Sequence, residues 1–266
     1  MKGKINLSPF SVTSRCWRVW QRDATVWRKT WVIGFLPPLL EPLLYVAAFG
    51  FGLGGLIGAI AWHGAKLTYL EFLAPGIVGA GVMNAAFFET TYSSFVRMYY
   101  QKTFDGILAT PLSLEEIVTG EILWGATRAV ITSAAMMAAL SPFGLLHWPQ
   151  SLLLLPVAAL GGLAFAAFGM VFTGVLPTIE GFNLPVFLIV TPMFLFSGTF
   201  FPLEQLPLWA QRFAWVLPLT HLVHLARSVA LGVFPPQLLA DAAYLALFGA
   251  IAYLTAVRTM VKRLIT

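Results

Sequence analysis

Glu89 and Arg128 are charged residues set into stretches that are otherwise largely apolar, Phe72–Val96 and Glu121 to about Phe143. Each lies about seven residues from the polar end of its stretch, which at 1.5 Å per residue puts both roughly 10 Å deep. Either charge alone would be costly at that depth, so the two are expected to form a buried pair. The competing reading has each snorkel separately to the interface. His221 and His224 stand three apart and share a helix face, which could offer two ligands to a metal. Two imidazoles with no third ligand make a poor zinc site, so they read as interfacial polar residues and no metal is expected.

Other chemistry is missing. The chain has no GxxxxGK[ST] phosphate loop and cannot hydrolyse ATP by that route. It has no HExxH pair, and nothing marks a nucleophile elbow. An intramembrane enzyme is therefore disfavoured. Chains of buried acids suited to proton-coupled transport are thin, with Glu41 and Glu89 the acids read inside spans, and no inverted repeat of the secondary-transporter type is visible.

The most informative internal stretch is Arg97–Glu121, RMYYQKTFDGILATPLSLEEIVTGE, where polar residues break up an apolar chain. Pro111 cannot continue a helix and disfavours the helical region for Thr110. Ser113 followed by Glu116 has the spacing of a capping box. A short helix is thus expected to end near Ala109 and a new one to start at Ser113. Phe104, Ile107 and Leu108 share a face of the short helix, which suits a helix lying against a membrane surface or a soluble partner. The plainer reading is an ordinary loop between two membrane helices.

These residues need a frame, and composition says which kind. The chain has 266 residues, of which 59% are hydrophobic and 10% charged, with a mean hydropathy of +0.82. Soluble domains carry roughly 25% charged residues, so this is a polytopic membrane protein. The net charge of +5 is explained by basic loops on one side of a membrane rather than by nucleic acid. The single Cys16 excludes an internal disulfide. No cleavable leader is read at the N-terminus.

Residues 1–30 are basic and aromatic, with Lys2, Lys4, Arg15, Arg18, Arg22, Arg28 and Lys29 and with Trp17, Trp20 and Trp27 on one helical face. They are expected to form an amphipathic helix in the headgroup layer, bound to membrane lipids. Residues 31–266 form the membrane domain. Its spans are expected at Trp31 to about Ile57, Phe72–Val96, Glu121 to about Phe143, Leu152 to about Leu176, Leu184–Phe200 and about Leu238 to Val257. Pro37, Pro38 and Pro42 should kink the first of these. Gly50, Gly54 and Gly58 repeat every four residues, a weak signal for close helix packing. Residues 201–235 are too polar and too rich in proline for a clean span; two short helices near 205–215 and 219–231 fit there, entering part-way. An even number of spans keeps the basic N-terminus and the tail residues Arg258, Lys262 and Arg263 on one side, the inside. The expected fold is an all-α membrane protein. It has six transmembrane helices, an N-terminal interfacial helix and a re-entrant outer hairpin before the last span.

The stretches FVRMYYQKTFDGILATPLSLEEIVTGE and PMFLFSGTFFPLEQLPLWAQRFAWVLPLTHLVHLARSVALG closely resemble the two hallmark regions of the type-2 ABC exporter permease family. Within it the chain is most similar to the branch that exports nodulation lipo-chitooligosaccharides, and the similarity runs from about Trp17 onward. The resemblance implies a homodimer in the bacterial inner membrane, with both termini cytoplasmic and a soluble ATPase subunit bound to each copy. ATP and Mg would be held by that partner, and this chain would bind no cofactor. Tyr99–Glu116 would be the coupling element, contributing Tyr99, Tyr100, Lys102, Phe104, Asp105, Leu112, Glu115 and Glu116. Pro202–Arg227 would shape the outer gate, where Phe201, Pro202, Trp209, Pro218, His221 and Arg227 are the candidate residues. The expected function is export of an amphiphile, whether a lipo-oligosaccharide, a lipid-linked glycan or a hydrophobic drug, with the pore between the two copies' first, second and fifth spans. The alternatives are a secondary transporter, or a membrane-bound enzyme that modifies lipid or glycan.

Overall fold

A computed structural model describes residues 12–52, 54 and 57–264 of the chain. Lys2 and Lys4 of the basic N-terminal stretch lie outside the described residues. The chain is an all-α membrane protein. Helix α1 spans Cys16–Gly52. A small antiparallel hairpin follows, β1 (Ile60–Trp62) against β2 (Ala65–Leu67), with Ile60 opposite Leu67. Then come α2 (Tyr69–Tyr100), α3 (Thr103–Leu108), α4 (Leu114–Leu140), α5 (Leu154–Val175), α6 (Glu180–Phe196), α7 (Leu208–Val216), α8 (Pro218–Leu231) and α9 (Leu238–Leu264).

Among the described residues, five segments are long and apolar enough to cross a membrane: Gly34–Gly52, Tyr69–Tyr100, Leu114–Phe143, Gln150–Val175 and Leu238–Leu264. Helix α6 is shorter than these and stops at Phe196 rather than Phe200. Its prolines explain the irregularity: Pro185 is followed by a π-helical turn, Val186–Val190, and Pro192 opens the last α-helical piece. Helices α7 and α8 meet at 87°. Pro218 at the start of α8 forces that corner, and Gly232, at φ 67°, closes the helix in the left-handed conformation that suits glycine.

One kink and one boundary differ from the sequence reading. The interfacial helix and the first span are two helical pieces joined at a kink, and that kink is at Thr30 (φ −123°, ψ 16°) rather than at Pro37, Pro38 or Pro42. The polar stretch 97–121 is also narrower than its composition suggests. Helix α2 runs on to Tyr100, with π-helical turns at Glu89–Ser93 and Val96–Tyr100, and α4 begins at Leu114. Polar residues within α2 explain the change of helix type. The hydroxyls of Thr90 and Thr91 donate back to the carbonyls of Ala86 (3.0 Å) and Phe87 (2.7 Å), loosening the regular ladder. The carbonyl of Thr90 instead accepts from Thr173 Oγ1 at 2.6 Å.

Small residues bring the helices into contact. A Cβ on Gly125 of α4 would stand 2.9 Å from the Ala166 methyl of α5, and one on Gly162 of α5 would stand 2.8 Å from the Ala129 methyl of α4. Phe72, Phe87, Phe95, Phe104, Phe165 and Phe182 are fully buried in the core they define. Helix α2 is largely enclosed, whereas the membrane-length part of α1 is mostly exposed. The start of α1, α3 and the α5–α6 turn share one end of the bundle with the close of α9, since Arg15 Nη1 donates to Pro111 O (2.9 Å) and Arg263 donates to Thr173 O. The β-hairpin, the α4–α5 turn and the α7–α8 corner form the other end, where His147 N donates to Ala230 O at 2.9 Å.

Candidate functional site

At the α3 end, Arg97 is the centre of a buried charge cluster. Its Nη1 donates to Glu89 Oε1 at 2.9 Å, its Nε lies 3.2 and 3.0 Å from the two Glu121 oxygens, and its Nη2 binds Glu121 as well. Asp23 Oδ1 stands 3.8 Å from Arg97 Nε and 2.8 Å from Arg22 Nη2. The expected contact between Glu89 and Arg128 is made, at 3.6 Å, but it is the looser of the two that Glu89 makes with arginines. Trp124 Nε1 also donates to Glu89 Oε1 at 3.1 Å. Glu121 and Asp23 are buried. Burial pushes the Asp23 carboxyl up, as does the nearby Glu121, and Arg97 and Arg22 only partly offset this, leaving it at about 7.

Sequence reasoning missed Arg97, Glu121 and Asp23. It took the first two as the ends of a polar docking element and did not single out Asp23. The signal was the capping box itself. The Ser113 hydroxyl accepts from Glu116 N at 3.2 Å, and Glu116 Oε2 accepts from Ser113 N at 2.9 Å. That cap starts α4 at Leu114 and so carries Glu121 two turns inside it.

The outward part of this end is α3 and its approaches. Tyr99 and Tyr100 are 51% and 60% exposed, and Lys102 and Asp105 are exposed too, 3.9 Å apart. Lys102 takes the left-handed conformation (φ 53°) at the start of α3. Leu112 and Glu115 are half-buried. Phe104 and Glu116 are not surface residues, contrary to their expected role as contacts. Phe104 is fully buried in the same core as Leu114 and Ile117. Glu116 is buried and accepts from both the amide and the hydroxyl of Thr13. They anchor the element and do not present it.

The N-terminal tryptophans also turn inward. Trp20 Nε1 donates to Thr127 Oγ1 of α4 at 2.9 Å, and Trp20 and Trp27 both meet the Trp124 ring edge-on, with centroids 6.2 Å apart. Trp17 stacks on Trp20 at 4.1 Å and is 48% exposed. Their shared face therefore seats α1 on α4.

At the other end, His221 and His224 are buried, which corrects their reading as interfacial residues. Each directs Nδ1 at one oxygen of Asp241, both at 2.6 Å, so Asp241 of α9 clamps α8. His224 Nε2 meets His63 Nε2 at 3.2 Å. Asp241 went unnoticed because it sits at the edge of the last span. Arg227 is buried, donates to Phe72 O (3.1 Å) and Gly198 O (2.8 Å), and lies over the Phe72 ring at 3.7 Å. It shares a cavity of about 230 Å³ with His224 and Pro202. Phe201 and Pro202 border a second, apolar cavity. Trp209 is 68% exposed and joins neither cavity, and Pro218 marks the corner. Among the described residues no three His, Cys, Asp or Glu side chains are placed to hold a metal ion.

Comparison with known proteins accounts for this architecture. A profile of the ABC-2 type transporter family matches residues 14–231. Nodulation protein J of Rhizobium leguminosarum bv. trifolii is 40% identical over 214 residues, 80% of each chain. Nodulation protein J of Rhizobium meliloti is 37% identical, again over 80% of each. The inner membrane transport permease YadH of Escherichia coli is 25% identical over 239 residues, 89% of this chain and 90% of the relative. A multi-pass helical bundle matched by that profile over most of its length is a transmembrane ABC transporter subunit, and this chain belongs to the ABC-2 type transporter family.

Proposed function

We propose that the chain is the permease subunit of an exporter whose ATP is hydrolysed by a separate soluble subunit. Two such ATPases seat against the α3 ends of two copies of this chain, in the cytoplasm of a bacterium, beneath the inner membrane. ATP-driven closure pushes on α3, and the path between the copies changes from inward to outward access. The cargo is an amphiphile of the lipo-oligosaccharide, lipid-linked glycan or hydrophobic drug class.

One observation carries this reading: α3 is exposed and yet rigidly held. Tyr99, Tyr100, Lys102 and Asp105 face outward, while Phe104 is locked in the core and Glu116 is tied to Thr13. A push on such an element moves α2, α4 and α1 together, whereas a slack loop would absorb it. Charge supports the orientation. Arg15, Arg18, Arg28 and Lys29 share this end with Arg258, Lys262 and Arg263, as expected of a cytoplasmic face.

Co-purification tests the partner: a phosphate-loop ATPase is expected to come down with the chain. Asp105→Arg is expected to leave the fold and the ATPase rate in place while export falls about tenfold or more, since a reversed rim charge costs several kcal/mol. Export that proceeds with no ATPase present would make the chain a secondary transporter instead.

A further inference from the structure

Four buried side-chain atoms without a hydrogen-bond partner belong to residues that line one cavity. They are Arg22 Nη1, Asp23 Oδ2, Trp27 Nε1 and Arg128 Nη1, and the cavity, of about 500 Å³, lies between α1, α2 and α4. Buried polar atoms are ordinarily paired. Orphans gathered around one space call for a partner from outside the chain.

The geometry says what kind. A Cβ on Gly34 would stand 2.8 Å from Trp27 Nε1 and 3.1 Å from both Nη1 and Nη2 of Arg128. Three donors therefore crowd against Gly34 at the wall of the cavity, packed too closely for a side chain there. The guanidinium of Arg128 is only loosely held: its ion pair to Glu89 is 3.6 Å and its contact with Gly34 O is 3.5 Å. That carbonyl is free to meet it because Pro38, four residues on, has no N–H to donate. Of the nearby carboxylates, Glu121 and one oxygen of Glu89 are engaged by Arg97, and Asp23 Oδ2 alone is left without a partner among these three. Nitrogens that only donate, two of them on a cation, suit an anionic oxygen. The depth suits one as well, because Thr30, at the break in α1, lines the cavity just before the Gly34–Gly52 span, next in sequence to exposed Trp31 and Val32. Basic and aromatic side chains at that level meet lipid headgroups.

We propose that this cavity is a phosphate-binding site, with Trp27 Nε1 and the Arg128 guanidinium as its donors and Arg22 adding positive charge. The raised pKa of Asp23 is in keeping with this, because a protonated carboxyl lessens repulsion and can itself donate. The site goes beyond the transport role and holds whether or not a separate ATPase drives the chain. The phosphate has two possible sources, a membrane lipid headgroup or the free anion.

Native mass spectrometry of the full-length chain separates them, with phosphatidylglycerol, diacylglycerol of the same acyl chains, and inorganic phosphate as probes. Phosphatidylglycerol is expected to be retained roughly tenfold better than diacylglycerol, the scale of a charge-assisted pair. Trp27→Phe keeps the ring and removes the N–H; Gly34→Ala puts a methyl among the donors. Each is expected to bring phosphatidylglycerol down to the level of diacylglycerol. Displacement of the lipid by inorganic phosphate assigns the site to a free anion, and retention against it assigns the site to a headgroup. Equal retention of the two lipids by the unaltered chain, with no inorganic phosphate retained either, overturns the proposal. So does phosphatidylglycerol retention unchanged in both variants, which would leave the cavity to water.

Discussion

The Thr13 amide donates to Glu116 Oε1 at 3.3 Å across 103 positions of sequence, tying the start of α1 to the first turn of α4. Its hydroxyl binds the same oxygen, and Arg15 Nη1 reaches Pro111 O beside it at 2.9 Å. The capping carboxylate of α4 is thus also the catch that holds α1 against the α3 loop. Glu116→Ala removes both functions. The cap alone is worth about 1 kcal/mol, and the larger expected effect is faster amide hydrogen exchange over residues 99–113, with Thr13→Ala giving a weaker form of the same change. Unaltered exchange in Glu116→Ala would show that the catch holds nothing.

Arg97 binds Glu89 and Glu121 together, so removing it leaves a buried and a half-buried carboxylate without their shared cation. Breaking a buried pair of this kind costs about 3–5 kcal/mol. Arg97→Met is expected to lower the thermal unfolding midpoint of the detergent-solubilised chain strongly, and Glu121→Met added to it should recover part of the loss. The shared arginine also fixes the outcome of a charge swap. Glu89→Arg with Arg128→Glu sets an arginine against Arg97, so the double variant is expected to be no better than the singles even though Glu89 and Arg128 touch. A swap that restores stability would place Arg97 outside the cluster.

Asp23 supplies a pH dependence with a definite sign. Its folded-state pKa is raised from 3.8 to about 7 by burial first and by Glu121 next, with Glu89 adding to the rise and Arg97 and Arg22 opposing it. The folded chain therefore holds this proton more tightly than the unfolded one. Stability from this group is full below the unfolded value and falls as pH rises from about 4 to about 7, then stays level. Asp23→Asn keeps the shape and removes the proton. The difference in unfolding midpoint between the unaltered chain and Asp23→Asn is expected to grow in favour of the variant between pH 5 and pH 7.5. A difference that does not change with pH would mean Asp23 is ionised throughout.

Much of the frame was legible because apolar length and helix signals are local. The capping box at Ser113 and Glu116 predicted where α4 begins, and the prolines at 207 and 218 predicted two short helices near where α7 and α8 lie. The shared face of Phe104, Ile107 and Leu108 was readable from spacing, but the spacing pointed it at a membrane surface or a partner, whereas it packs into the chain's own core. What could not be read was partnership across distance. Nothing local marks Arg97 as the partner of Asp23, or Asp241 as that of His221, since each pairing is set by how α1, α2, α4, α8 and α9 cross. Composition also made Arg97 and Glu121 look like the edges of one polar island, because helices that bury a charge cluster carry as many polar residues there as a surface element does. The tryptophans of α1 show the same limit: their common face was plain, but only the fold shows that it meets Trp124 and Thr127.

Asp241 receives both histidines of α8, at 2.6 Å each, and so fixes the bent pair to the last helix. An asparagine there has one oxygen and one amide nitrogen, so it can accept from one imidazole while it donates to the other. In Asp241→Asn one histidine must change its proton arrangement or lose its bond. A hydrogen bond to a charged group is worth about 1.5–3 kcal/mol, and a loss on that scale is expected in the unfolding midpoint. The distinguishing readout is local. Amide exchange should rise in α8 and at the 197–206 turn, while the Arg97 end of the bundle keeps its protection. His221→Ala should reproduce part of this, because Asp241 would keep His224. Exchange that rises equally at both ends of the molecule would mean that the clamp supports the whole bundle, and no change at either end would mean that it clamps nothing.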